Sequence, residues 1–517
     1  MIGILNTGSS AYKYVLSAFK RSFTDSQIVE LSDLCTFKSE NVDALVLVSP
    51  SEEELNATLN SDGVYKVIIF GCIPPSHAEA LKFRVSSWPE GEWGKAPSAE
   101  TYSFSESAEL IEYTEFANVC FGSIKNRPME RFDFMDEWNN LGYGAVKTEG
   151  DIWSLSTPII FDENALSNVT NDGDLICSFS SLIDIDEKSF LWFNREVGPV
   201  DSYEWQIVEA YLSSNLMGGN TVYPVLVEVP NGFDCAITMR LDCDEDIESS
   251  RYLWNAYKIE NIPFSLAIHT MNLTDERHFP IMRELEEAGD AILSHTATHA
   301  PNWGGSYESA LYEANTSANL IEKVINKRVK YAVSPFHHTP LYALKALSDA
   351  GYKGCIGGII KNDPEFLTFN GGNLAELPKS FIGHSQQVML HGDCILNDSG
   401  DSLRVYKESF DIAKQSNTIF GYLDHPFSER YQYGWLTEEQ RKNVHLELIN
   451  YIRTNSNSPC FMNEIEAMDF IQDKANYLVK LENGLPVLKL AEGYKRLSSY
   501  VPKVLLNGQV QEVLISE

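Results

Sequence analysis

The chain has 517 residues, too many for one hydrophobic core and about three domains by length. Its 44% apolar and 22% charged content is that of a folded globular protein and argues against disorder. A formal charge of −33 excludes the basic footprint that nucleic acid or an anionic membrane surface would need in a partner. Nine cysteines, odd in number and without a CxxC pair, read as reduced thiols rather than a disulfide framework. The opening MIGILNTGSS has neither a basic region nor a long apolar core, and no run approaches the ~20 apolar residues of a membrane span. A cytoplasmic, non-membrane-spanning protein is expected; its oligomeric state is left open.

Residues 1–90 alternate strand and helix: IGIL, then the helical SSAYKYVLSAFKRSF, then the buried strands DALVLVS and KVIIFG. This predicts an α/β domain with a parallel sheet, faintly similar to flavodoxin-like or amidotransferase-like folds. Gly8, Ser9 and Ser10 could offer N–H groups to a phosphate, but without a glycine-rich fingerprint a plain serine N-cap is the expectation. Residues 91–225 form a less regular mixed α/β middle region, opened by the linker-like SSWPEGEWGKAPS. Its strands are LICSFS and FLWFNRE, and DSYEWQIVEAYLSSNL is an amphipathic helix. Residues 226–475 alternate helices with short apolar strands, the cadence of an α/β barrel or doubly wound sheet. Residues 476–517 carry the turn signals ENGLP and LNGQV and are expected to be a small β appendage.

Chemistry concentrates in the third unit. RLDCDED, residues 240–246, sets four acids behind the apolar run FDCAITM. Such acids near a core repel one another unless a cation or proton offsets their charge. Residues two apart in a strand share a face, so Arg240, Asp242 and Asp244 are expected to point together at the strand's C-terminal end. Sites of α/β sheets gather at that end. A cation is suggested by AILSHTATHAPNW, where His295 and His299 lie four apart after another apolar run. One helical turn would put both imidazoles on one side. Two imidazoles and a carboxylate are a common three-ligand set for a catalytic zinc-type ion.

The DCD run followed by SHTATH resembles the first two motifs of the NodB-type polysaccharide deacetylases, carbohydrate esterase family four, over residues ~226–475. The resemblance implies a distorted (β/α) barrel binding a divalent metal, zinc first, with cobalt, nickel or manganese as alternatives. It assigns Asp242 as general base and Asp244, His295 and His299 as metal ligands. SPFHH matches the third motif at Pro335 and Phe336, with the Phe336 N–H as oxyanion donor, but Val333 stands where that motif has an arginine. Arg240 is the candidate replacement. FGYLDHPF makes His425 the general acid, with His391 of VMLHGD as a rival and Glu376 or Asp424 as a supporting acid. Trp303, Pro335 and His337 flank the motifs as candidate substrate contacts, and so do His338, Tyr431, Tyr433 and Trp435, although packing is the commoner role of such aromatics.

The resemblance implies metal-assisted hydrolysis of an acetamide on an acetylated sugar. From inside a cell that sugar would be nucleotide- or lipid-linked, as in an O-antigen-like surface polysaccharide. Two alternatives stand beside it: an amide hydrolase acting on a small non-sugar molecule, and a decayed sugar-binding or scaffold protein. The missing third-motif arginine favours the second of these, and the other intact motif positions weigh against it.

Overall fold

The computed structural model describes all residues except 35–39, 90–108, 129–132, 135–136, 139–150, 200–201, 216–220, 358–369, 386–387, 393–394, 396–400, 429 and 517. From residue 90 on, the linker-like stretch therefore lies outside the described residues.

The fold is α/β and is organised around two large sheets. The first has nine strands in the order 28–31, 2–5, 44–48, 66–70, 188–193, 174–185, 165–171, 109–113, 127–128. Its first five strands are parallel and the rest antiparallel. The expected strands IGIL, DALVLVS and KVIIFG are present and buried throughout. Strands from either side of residue 90 share this sheet, because Lys188–Phe193 pairs directly with Lys66–Phe70. At Gly8–Ser10 the helix runs from Tyr12 to Ser22, and Ala11 occupies the cap position with no side-chain bond. Ser9 Oγ instead accepts from the Ala11 N–H at 3.1 Å and donates to Glu196 at 2.6 Å.

The second sheet carries the acids and histidines. Its strands follow the order 372–373, 382–385, 354–357, 331–333, 291–294, 265–268, 235–243, 419–424, 388–389, and Pro459–Met462 also pairs with Cys235–Cys243. Every pairing is parallel except that of 372–373 with 382–385. Among the described residues no pairing joins the two ends of this path. Helices link successive strands, and their ends follow local chemistry. Phe279–Ala288 has Pro280 in its first turn, buries Ile281, Met282 and Leu285 along one stripe, and stops at Gly289, whose φ of 82° is left-handed. Two residues later Ala291–Ser294 begins. Tyr307–Ile325 starts on Ser306, whose Oγ accepts from the Ser309 N–H, and ends on left-handed Asn326.

At the C-terminus the two turn signals form hairpins. Asn483-Gly484 and Asn507-Gly508 all have positive φ, as two-residue hairpin turns of the favoured hand require. The second hairpin pairs antiparallel with Val225–Pro230, the strand entering the second sheet. Among the described residues no helix is long and apolar enough to cross a membrane.

Candidate metal centre and active site

Cys235–Cys243 is buried at all nine positions, its two charged side chains included. Arg240 and Asp242 share a face as the period of two requires. Arg240 grips Asp242 through both carboxylate oxygens, Nε to Oδ1 at 2.7 Å and the second guanidinium nitrogen to Oδ2 at 3.2 Å. Burial pushes the Asp242 carboxyl up, but the Arg240 charge and then His295 hold it below the usual carboxylate range. Such a fork on a buried carboxylate fixes orientation as well as charge.

Just past the strand end, Asp244 meets the two histidines. Its Oδ1 lies 3.5 Å from His295 Nε2 and 3.3 Å from His299 Nε2, and the two Nε2 atoms are 3.1 Å apart. Ligand atoms about 2.0–2.2 Å from a tetrahedral ion stand roughly 3.3 Å from one another. The donor set therefore fits one divalent ion. Behind it, His295 Nδ1 is 3.2 Å from the Val333 carbonyl, the kind of outer bond that fixes a ligating tautomer. Tyr433 donates to Asp244 Oδ2 at 3.1 Å, and His269 Nδ1 lies 3.1 Å from the Asp244 carbonyl. Burial pushes His295 down to about 3 and His299 to about 4, so both rings are neutral at neutral pH.

The two imidazoles do not meet by way of a helical turn, as their spacing suggested. Residues 295–300 are irregular, and Thr296 and His299 adopt left-handed φ of 68° and 52°. The bend is held from inside: the His299 N–H donates to Thr296 Oγ1 at 2.9 Å. Glu313, on the following helix, accepts from the Ala297 and Thr298 N–H groups, both at 2.8 Å, and from Thr298 Oγ1 at 2.6 Å. Phe336 and His337 are also left-handed, at 52° and 56°. Three of these four residues, His299, Phe336 and His337, line one cavity, a concentration of backbone strain of the kind found at ligand sites.

That cavity, about 80 Å³, is lined by Asp242, Asp244, His295, His299, Phe336 and His337, together with Ser334 and His425. His425 follows the strand Ile419–Asp424 and places Nε2 3.5 Å from Asp244 Oδ2, while its ring stacks on Tyr433 at 4.2 Å. His391, the rival candidate, lies behind it with Nε2 2.5 Å from His425 Nδ1. Burial and then His391 hold His425 well below the ordinary imidazole value. Asp424 is fully buried under Arg441 at 2.6 Å and His445 at 2.9 Å, accepts from the His425 N–H at 2.7 Å, and is 3.8 Å from His391. Glu376 is not at the site: it pairs with Lys13 and Lys345 at the surface.

Two of the expected substrate contacts, Trp303 and Pro335, are buried. Trp303 is fully buried and its indole N–H donates to the His338 carbonyl at 2.9 Å, so it packs beneath the loop instead of facing a ligand. Pro335 is buried at the start of the short turn that carries Phe336. The sequence reading missed Glu313, which acts through backbone amides, and His269. It also left Tyr433 as one aromatic among several, because nothing local marks its contact with Asp244.

The buried neutral histidines set a pH dependence. His295 at about 3, His337 at about 4 and His384 at about 3 all lie below the unfolded value near 6.5. Below pH 6.5 the unfolded chain binds protons that the folded chain refuses, so their stabilisation is full above 6.5 and is lost as pH falls. The slope is about 1 kcal/mol per pH unit for each ring. Glu209 and Glu464, raised to about 7, act in the opposite sense, but the lowered rings outnumber them, so the metal-free protein is expected to melt progressively lower from pH 7 to pH 5 in a calorimetric series; a Tm that rose over this range would contradict the account.

Residues 250–355 match the family model described as polysaccharide deacetylase. The matched stretch holds His295, His299 and the Pro335–His337 turn, while Asp242, Asp244 and His425 lie outside it. A comparison with curated proteins finds no match. Among solved structures, a candidate polysaccharide deacetylase from Mycobacterium smegmatis aligns at 13% identity over 48% of this chain and 93% of its own, with a TM-score of 0.38. A family 4 acetyl xylan esterase from Clostridium thermocellum, in complex with a cobalt ion, aligns at 11% identity over 45% and 89%, with a TM-score of 0.29. Puue allantoinase aligns at 11% identity over 50% and 95%, with a TM-score of 0.36. Within the C-terminal half of the chain, residues 250–355 are thus similar to the polysaccharide deacetylase family, the family that the DCD and SHTATH motifs resemble.

Proposed function

We propose that this domain is a metal-dependent N-deacetylase of an acetylated sugar, with zinc as the first candidate ion and cobalt, nickel or manganese as alternatives. The observation that carries the reading is the meeting of Asp244, His295 and His299 within 3.5 Å of one another beside the Arg240-clamped Asp242. Bound there, a divalent ion would acidify water and polarise an acyl oxygen. Asp242, kept ionised and oriented by Arg240, takes a proton from the attacking water. The Phe336 N–H, on its strained turn, faces the developing oxyanion. His425 delivers a proton to the departing amine. Because burial keeps its ring neutral, that proton is loaded during turnover, and His391 is placed to share it.

The cavity of about 80 Å³ at these donors has room for an acetyl group. The ring would lie outside, against Phe336 and Tyr431, which are 48% and 38% exposed. We place the reaction in the cytoplasm, on a nucleotide- or lipid-linked precursor of an O-antigen-like polymer. Acetate release from nucleotide-linked and free N-acetylated sugars, measured beside cyclic ureides and formamides, tests the substrate class. Turnover of the acetylated sugars alone supports the reading, and turnover confined to the ureides or formamides overturns it.

Arg240 is proposed to replace the absent third-motif arginine. Arg240→Ala is expected to lower kcat about 100-fold with metal content retained, because Asp242 loses its clamp and its low pKa. Unchanged turnover would end that assignment.

A further inference from the structure

We propose that a second cavity, at the end of the second sheet opposite the histidine cluster, binds a small organic anion: a carboxylate or phosphate carried on an apolar body. The strands 331–333, 354–357 and 382–385 are neighbours in the sheet and run parallel. Lys330 and Lys353 immediately precede the first two, and Lys379 lies three residues before the third. Neighbouring strands stand about 4.8 Å apart, so the topology sets three ammonium groups in a row where the strands begin. The catalytic residues stand at the other, C-terminal ends of the parallel strands of this sheet, and an occupant here does not compete for the acyl group.

The three lysines border a cavity of about 480 Å³, within the range of small-molecule sites. Its walls include the buried Tyr331 ring, Tyr494 and Leu497, the last 47% exposed. Part of the charge is compensated internally: Lys330 pairs with Asp469 at 2.9 Å and Lys379 with Asp25 at 2.6 Å, and Tyr331 donates to Asp469 at 2.6 Å. Lys353 is exposed, and among the described residues no carboxylate pairs with it. An uncommitted cation over an apolar floor is the local complement of an amphiphilic anion. The anion meets Lys353, with Lys330 and Lys379 beside it, and the body covers Tyr494 and Leu497.

The test is a fluorescence titration of the full chain with anilinonaphthalenesulfonate, an aromatic body bearing one sulfonate. Two controls accompany it: phenylnaphthylamine, which has the body without the charge, and inorganic pyrophosphate, which has charge without the body. The expected result is saturable binding of one dye per chain. It should weaken at least about tenfold in Lys353→Glu and stay unchanged in Lys489→Glu, an exposed lysine elsewhere with the same change in net charge. Both controls should bind at least about tenfold more weakly than the dye. The proposal is overturned if Lys353→Glu binds the dye as the parent does, if the two lysine variants weaken binding equally, or if uncharged phenylnaphthylamine binds as tightly as the sulfonate.

Discussion

Asp244→Ala is expected to purify without its divalent ion and to lose deacetylase activity by about a thousandfold or more. Asp244 supplies the only carboxylate among the three donors that approach a common point; the others are neutral imidazoles. Two imidazoles alone leave the ion with half a tetrahedral shell and no compensating negative charge. Stability should change little in the metal-free protein. Asp244 is about a quarter exposed, and losing its bond from Tyr433 costs about 1 kcal/mol. The readouts are metal content by mass spectrometry and acetate release, beside a melting curve. A variant that keeps full metal content would remove Asp244 from the ligand set.

Asp242→Asn should behave differently: metal retained, Michaelis constant little changed, kcat down by 100- to 10,000-fold. Its side chain faces Arg240 and lines the cavity, but it is not one of the three converging donors. Replacing a buried carboxylate leaves the Arg240 charge without its partner, a change that ordinarily destabilises by several kcal/mol. Here Glu464 cushions the loss. It is fully buried, and burial raises its carboxyl to about 7; Arg240 draws it down and Asp242 pushes it up. Removing the Asp242 charge therefore lowers the Glu464 carboxyl further, toward the ionised form that the Arg240 charge favours. Metal content that fell equally in Asp242→Asn and Asp244→Ala would show that the two roles are not separate.

Asp242, Asp244, His295, His299 and His425 were legible in the sequence because each follows an apolar run that becomes a strand of the second sheet. A parallel sheet gathers strand ends, so residues far apart in sequence arrive together. Arg240 was legible for the same reason, two residues from Asp242 on one strand. The HxxxH spacing misled about mechanism: four residues match a helical turn, yet left-handed Thr296 and His299 make a bend that Glu313 holds by its backbone amides. A contact to amides leaves no trace in residue pattern, so Glu313 could not be found. The His391–His425 pair was read as a rivalry because strand pairing between Val388–Met389 and Tyr422–Leu423 is not visible along the chain. In the middle region, Ala165–Asn171 was missed because its polar residues face neighbouring strands of the first sheet and satisfy one another, as Ser167 and Ser180 do at 2.5 Å. Trp303 resembled a sugar platform from its position beside the motif, and only its burial shows that it supports the loop.

The most direct measurement is anomalous diffraction at the zinc edge from crystals of the zinc-loaded full chain. One peak is expected, about 2.0–2.2 Å from Asp244 Oδ1, His295 Nε2 and His299 Nε2 together. No peak at that point, or a zinc ion held by other residues while this trio stays empty, would contradict the account.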